Sequence, residues 1–523
     1  MNKHNKTMNK HIKMLKTIVI VASLLLAPVL TSSCKDDSGS ETEKVTDSVT
    51  LIGESTIVTN TDGSQSISAT FKSSGEPTVT TSADWVTITS VNDQGHGYYT
   101  LTAATSANTT TDDRSASITI ACGTVTIAIN VSQKGVVVPD DDDDDDSFIS
   151  KMGMGWNLGN QLDAYNNGVA SETAWGNKAA TQATMDALYA AGIRTVRIPV
   201  TWLGHVGDEP SYTIESAWLD RVAEVVSYAE NAGLHAIINI HHDGADSQHW
   251  LSIKEAANSN NANTRIKAQL KAMWTQIANK FADKGDFLIF ESMNEIHDGG
   301  WGWGSNRNDG NKQYGILNEW NQVFVDAVRA TGGNNATRWL GVPGYCTNPD
   351  LTINYLTVPT DEANRVMVAV HDYDPYEYTL NDKYNAWGHL ADKSKGDTTN
   401  GSNEESVITS TFSQLKTKFV DNGIPVYIGE IGCVRRATNR AESFRKYYLE
   451  YVCKAAKTYG LAPIFWDNGA TGTGKEQSGL FDHSTGEYLN DAEEIVKVMV
   501  NAIENTDASY TLESVYNNAK IED

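Results

Sequence analysis

Positive charge, cysteine and long apolar runs are all scarce in this chain. Lys and Arg total 41 against 66 Asp and Glu, a formal charge of -25, which repels nucleic acid and anionic lipid headgroups and leaves a neutral or cationic partner. Of the five cysteines, Cys34 stands near the start, and Cys122, Cys346, Cys433 and Cys453 are irregularly spaced. An even number permits disulfides, yet no C-x-x-C or H-x-x-x-H pattern offers a metal site, and the four read as small buried hydrophobes. No metal and no cofactor is expected. The apolar run Ile18 to Leu30 is too short for a comfortable membrane-spanning helix.

Length and apolar content, by contrast, are ample. With 523 residues, 40% of them hydrophobic, the chain exceeds one ordinary domain, and two folded units with flexible connections are expected. Lysines 3, 6, 10, 13 and 16 precede the apolar run, and Thr31, Ser32 and Ser33 lead into Cys34, so residues 1–34 read as an export signal. This segment resembles a bacterial lipoprotein signal, which implies lipidation of Cys34 and anchorage in the outer membrane. Lys35, Asp36 and Asp37 resemble the acidic signal that sends Bacteroidetes-type lipoproteins to the outer face of that membrane. A plain cleaved secretion signal is the alternative.

From 45 to 138 the texture is Ser, Thr, Val and Ile in short alternating runs, as in Ser115 to Asn130, SASITIACGTVTIAIN. Period-two alternation broken by Asp-Gly and Gly-Thr turns predicts a small all-β, immunoglobulin-like sandwich. Ala83-Asp84-Trp85-Val86, Arg114 with Ser117-Ile118, and Val131 to Gly135 together resemble the BACON domain family. Carbohydrate binding is one reading; the shortage of large aromatics favours a spacer. Pro139 and the run Asp140 to Asp146 repel themselves into an extended linker over 139–147, and no glycine turn aims the oxygens at calcium.

Over 148–505 apolar strand candidates alternate with amphipathic helical stretches such as Trp218 to Ala232 and Trp320 to Ala330. The strands are Met152–Leu158, Thr195–Val200, Ala236–Ile240, Phe287–Met293, Trp339–Pro343, Val366–Val370, Val426–Ile431 and Pro463–Trp466. Eight such units predict a (β/α)8 TIM barrel, followed by a C-terminal tail over 506–523. In that fold functional groups gather at the carboxyl ends of the strands. There the sequence places Arg197, His241, His242, Asn294, Glu295, His371, Tyr373, Glu430 and Trp466. Two of these, Glu295 and Glu430, end separate buried strands, which is the minimum equipment for acid/base cleavage of a glycosidic bond.

The motifs Gly155 to Asn160 (GWNLGN), Val196 to Trp202 (VRIPVTW), Ile240 to Asp243 (IHHD), Met293-Asn294-Glu295, His371-Asp372-Tyr373, Gly429 to Gly432 (GEIG) and Trp466 to Gly469 (WDNG) follow one another in order. They resemble glycoside hydrolase family 5, and Glu172 to Gly176, with Trp175, resembles its endoglucanase and xyloglucanase branch. The resemblance implies a retaining endo-β-1,4-glucanase. Glu430 would be the nucleophile, kept ionised by Arg197 beneath it and by a Tyr373 hydrogen bond. Glu295 would be the acid/base, with its pKa raised. Asn294 would hold the 2-hydroxyl of the sugar, His371 would orient Glu295, and His241 would bind the same sugar or steady the nucleophile. Trp466 would be the stacking floor on the non-reducing side.

Alternatives stand beside these roles. Arg197 could serve a structural ion pair, and His241-His242-Asp243 could bind metal. Neighbours on a strand face opposite ways, which argues against two histidines reaching one ion, and His242 is left to touch substrate. Trp301 and Trp303, among glycines just after Glu295, either line the cleft or pin their own loop. The expected partner is a β-glucan: cellulose, mixed-linkage glucan or xyloglucan, with mannan or xylan as further candidates. A cell-surface glycan-binding lipoprotein without catalysis is the competing class. The protein is expected at the cell surface or secreted, as a monomer.

Overall fold

The computed structural model describes residues 47–522 except 54, 60–65, 109, 111–112, 134–146 and 402–403. The expected export signal over 1–34, with Cys34, and the aspartate run Asp140 to Asp146 lie outside the described residues. Among the described residues no helix is long and apolar enough to cross a membrane.

The chain divides into two compact units. In the first, strands β1 (Val49–Ile52), β3 (Ser66–Ser73), β6 (Tyr98–Thr105) and β5 (Val86–Gly95) form one four-stranded sheet in the order β1-β3-β6-β5. The other sheet has the order β2-β8-β7-β4, from Thr56–Thr59, Val125–Gln133, Arg114–Cys122 and Thr78–Thr81. Its alternation is the one read from sequence: Ala116, Ile118, Ile120 and Cys122 face inward along β7. They meet Ile67, Phe71, Leu101, Ile129 and Val131 in one core. The Arg114 guanidinium covers the Trp85 ring at 4.4 Å, and Tyr99 stacks on Phe71.

The second unit is a closed parallel barrel, with strands in the order β12-β13-β14-β15-β16-β17-β18-β9. They are β9 (Gly155–Leu158), β12 (Thr195–Ile198), β13 (His235–Asn239), β14 (Leu288–Glu291), β15 (Leu340–Pro343), β16 (Val366–Asp372), β17 (Val426–Ile431) and β18 (Leu461–Asp467). The two-residue strands β10 (Tyr165–Asn166) and β11 (Val169–Ala170) make a small hairpin in the first loop. Strands buried on both faces read as continuous apolar runs, which is why all eight are visible in the sequence. Most strand ends shift by one or two residues from those expected, and the largest correction is at the first strand. Met152 ends a helix, Phe148–Met152, capped by the Ser147 side chain, and belongs to no strand. Met152 packs with Ile237, Ile289, Met367 and Ile464 in an interior cluster against which Phe148 also packs. The outer helices bury one stripe each; Ser216–Ala232, for example, turns Trp218, Val222, Val225, Val226 and Ala229 inward.

Candidate active site

Alternation along the strands points Asn157, Arg197, Asn239 and Glu291 into the barrel, and fully buried Arg197 joins them. Its Nη2 donates to Glu291 Oε1 at 2.7 Å and to Asn294 Oδ1 at 2.8 Å. Its Nη1 donates to Glu430 Oε1 at 2.8 Å and to Asn157 Oδ1 at 3.0 Å. Arg197 is therefore a buried structural ion pair and the support beneath Glu430 at once. Although burial acts to lower its pKa, the charges of Glu291 and Glu430 raise it and hold the guanidinium protonated. Glu291 also accepts from Tyr427 Oη at 2.6 Å and Asn239 Nδ2 at 2.8 Å. A Cβ at Gly341 would lie 2.2 Å from the Tyr427 hydroxyl, so glycine on β15 makes room for that bond.

Above this floor, Tyr373 Oη donates to Glu430 Oε2 at 2.8 Å. His371 Nδ1 lies 2.7 Å from Glu295 Oε1 and 3.6 Å from Glu430 Oε2. A bulge between Val370 and His371 brings His371 level with Glu430 on the neighbouring strand. One oxygen of Glu295 and one of Glu430 lie within 4.8 Å of each other. So close an approach is compatible with a retaining pair, whose carboxyl groups stand about 5–5.5 Å apart.

Burial, neighbouring charges and hydrogen bonds act together on the two carboxyls. Burial pushes the Glu430 carboxyl up; His371, Arg197 and the Tyr373 bond pull it down, the Glu295 charge adds to the rise, and the net direction is up. Burial also acts upward on Glu295, but the bond and charge of His371, with His297 and Arg197, hold it below the usual range. His371 acts on both carboxyls and sits nearer to Glu295 than to Glu430.

His241 and His242 follow β13, past the end of strand alternation, and this overturns the argument that they face opposite ways. Their rings meet edge-on at 4.5 Å, and one donor atom of each lies within 4.8 Å of the other and of Asp163. His242 Nε2 is 3.5 Å from Asp163 Oδ2. The His241 ring runs parallel to Trp466 at 5.9 Å, and His242 lies against Trp175 and Tyr165. An aromatic wall therefore continues from Trp466 to Trp175. On the Glu295 side, Trp301 is 57% and Trp303 80% exposed. His297 packs on Trp301 at 4.3 Å, and Arg307 lies over Trp303.

Sequence reasoning passed over Glu291, Asn239, Tyr427, Asp163 and Tyr165. Glu291 had a signal: it is an acid inside the apolar run FLIFE, and a buried carboxylate needs partners.

Residues 162–472 match the family described as Cellulase (glycosyl hydrolase family 5). The chain belongs to glycosyl hydrolase family 5. As a member, it is a retaining glycoside hydrolase. Residues 73–134 match the BACON family, described as a putative N-terminal binding domain. Among relatives, the family 5 chain is 41% identical over 340 residues to endoglucanase A of Paenibacillus barcinonensis, covering 62% of this chain and 82% of that one. It is 34% identical over 449 residues to a xyloglucan-specific endo-β-1,4-glucanase of Bacteroides ovatus, covering 79% of this chain and 84% of that one. A solved broad-specificity endoglucanase from Bacteroides salanitronis is 63% identical, with a TM-score of 0.67, over 68% of this chain and 94% of that one.

Proposed function

We propose that the protein is an endo-β-1,4-glucanase in which Glu430 is the nucleophile and Glu295 the acid/base. The observation that carries this reading is the pair of carboxylates with one oxygen of each within 4.8 Å of the other, one carboxylate fixed by two donors and the other by His371. Glu430, held by Arg197 and Tyr373, attacks the anomeric carbon as Glu295 gives its proton to the departing sugar oxygen. The ester that forms removes the Glu430 charge, and Glu295 then takes a proton from the water that releases the sugar. Substrate binding favours the proton order that the reaction needs. The Glu295 side chain is 21% exposed, so a sugar that expels its water favours the neutral acid, while Glu430 keeps its two donors. Because Arg197 engages Asn294 Oδ1, the Asn294 Nδ2 group is left to donate to a sugar hydroxyl. Trp466, His241, His242 and Trp175 line the non-reducing side of the cut; Trp301 and Trp303 receive the leaving chain.

Azide separates the two roles. In Glu430→Ala it enters the nucleophile's space and gives an α-glycosyl azide; in Glu295→Ala it attacks the glycosyl-enzyme from the other face and gives the β product. Full activity of either variant on carboxymethylcellulose, or the opposite anomers, sinks the assignment. Activity on cellulose, mixed-linkage glucan and xyloglucan side by side decides the preferred chain, and relatives of both broad and xyloglucan-specific action make a branched glucan part of the proposal.

The sandwich acts as a spacer. Its described aromatics are Phe71, Trp85, Tyr98 and Tyr99; of these only Tyr98 is exposed, at 40%, and the Lys72 amine lies over its ring at 5.3 Å. Retardation of the protein in xyloglucan-containing gels that persists after removal of the barrel's aromatics would overturn this. Cys34 carries a lipid that holds a monomeric enzyme at the outer surface; palmitate labelling lost in Cys34→Ala is the check.

A further inference from the structure

Asn239, on β13 between Glu291 and His241, has a side chain whose every polar atom is engaged. Its Oδ1 accepts from the Val200 backbone N–H at 3.1 Å, and its Nδ2 donates to Glu291 Oε1 at 2.8 Å. A backbone N–H cannot accept, and an ionised carboxylate cannot donate, so the amide has one orientation. The second Nδ2 hydrogen then faces His241 Nδ1 at 3.1 Å. Since both would otherwise be donors, Nδ1 has to be the bare nitrogen of the ring, and the proton sits on Nε2.

We propose that Asn239 is a positioning residue that fixes His241 as the neutral Nε2–H tautomer, making it a hydrogen-bond donor toward a hydroxyl of the sugar stacked on Trp466. The ring lies parallel to Trp466 and is 3% exposed. Burial, followed by the charges of His242, Arg197 and His371, also holds its pKa well below the usual histidine value, in keeping with a ring that stays neutral. The groups facing it are those three, Asn239 and Asp163. Glu291 thus orders two parts of the cleft through one carboxylate: Arg197, and by way of Asn239, His241. The part played by the sugar rests on the glucanase reading; the tautomer does not.

Long-range proton–nitrogen NMR of the full chain labelled with 15N-histidine reads the tautomer directly, with His241 assigned by its loss in His241→Ala. The expected wild-type pattern is Nε2–H with an unprotonated Nδ1, unchanged from pH 6 to pH 8. An Nδ1–H ring or an imidazolium in that range overturns the proposal. Asn239→Asp replaces the donor by an acceptor, so His241 should move to Nδ1–H or become charged, and kcat/KM should fall roughly tenfold or more, mostly through kcat. A folded Asn239→Asp protein that keeps the wild-type ring pattern also overturns it. Should that variant not fold, the wild-type spectrum still decides. If instead the tautomer is as stated and His241→Ala keeps full activity, the sugar contact fails and the Asn239 assignment stands.

Discussion

Glu291 on the barrel floor and Glu430 at its mouth both take a hydrogen bond from the Arg197 guanidinium, and their other neighbours differ. Burial acts first and upward on Glu291, yet Arg197, His371 and the Tyr427 bond overcome it and hold the carboxyl below the usual range. Glu430 is about as buried. It has Arg197 and Tyr373 as donors but shares its space with Glu295, and its proton affinity is raised. Burial alone does not set the charge state; the number of fixed donors and the nearness of a like charge do. The floor is a satisfied network, whereas the mouth holds like-charge repulsion, a destabilising feature that serves chemistry.

Truncation tests this difference most strongly. Glu295→Ala and Glu430→Ala should lower kcat by roughly 10³-fold or more while leaving the melting temperature unchanged or higher, because one of two crowded carboxylates is gone. Glu291→Ala leaves the Arg197 charge half-paired in the interior and should destabilise the barrel by about 3–5 kcal/mol, seen as a fall in thermal or urea midpoint. A stable Glu291→Ala protein with normal turnover would break the comparison.

Asp372 sharpens it further as a buried carboxylate with no cation. It accepts one backbone N–H, from Asp374, and burial first, then Asp374, pushes its pKa up to about 7. A carboxyl raised in the folded state binds its proton there while the unfolded chain has lost it, so stability falls as pH rises from about 4 to about 7 and stays low above. Asp372→Asn removes this dependence. The variant should gain on the order of 2–4 kcal/mol at pH 8, with the gain shrinking toward pH 4. An equal shift in melting temperature at both ends would mean that Asp372 is ionised throughout.

The contrast also explains what could be seen in the sequence. All eight barrel strands were legible because parallel strands buried on both faces are apolar along their length. The mouth residues were legible because polar side chains at strand ends stand out against those runs, and Arg197, Asn294, His371, Tyr373 and Glu430 come together as expected. The floor was harder. Tyr427 looks like an ordinary core aromatic and Asn239 like a strand end; their meaning lies in cross-strand bonds that no local pattern encodes. The unequal placing of His371 was invisible for the same reason, since it stands 2.7 Å from one carboxylate and 3.6 Å from the other. Strand alternation misled at His241 and His242 because the strand ends at Asn239.

Two hydroxyls give a paired test of moderate size. Tyr427 and Tyr373 each donate to a carboxylate of the Arg197 network, at 2.6 Å and 2.8 Å. Tyr427→Phe should cost about 1–3 kcal/mol of stability with a small change in turnover. Tyr373→Phe should do the opposite, with roughly tenfold lower kcat/KM and little change in melting temperature. Equal losses of stability in both would erase the distinction between floor and mouth.

The smallest effect belongs at the rim. Trp303 is 80% exposed and its one ring contact of note is the Arg307 guanidinium, 4.4 Å from the centroid, so the fold gains little from it. Stacking on a sugar would contribute roughly 1 kcal/mol, and Trp303→Ala should raise KM about fivefold on long glucans with kcat nearly constant. An aryl cellobioside ends at the cut and has no sugar to place on Trp303, so its hydrolysis should be unaffected. A matching loss on both substrates would mean that Trp303 acts through the loop carrying Glu295; a loss on the polymer alone assigns the ring to the leaving chain.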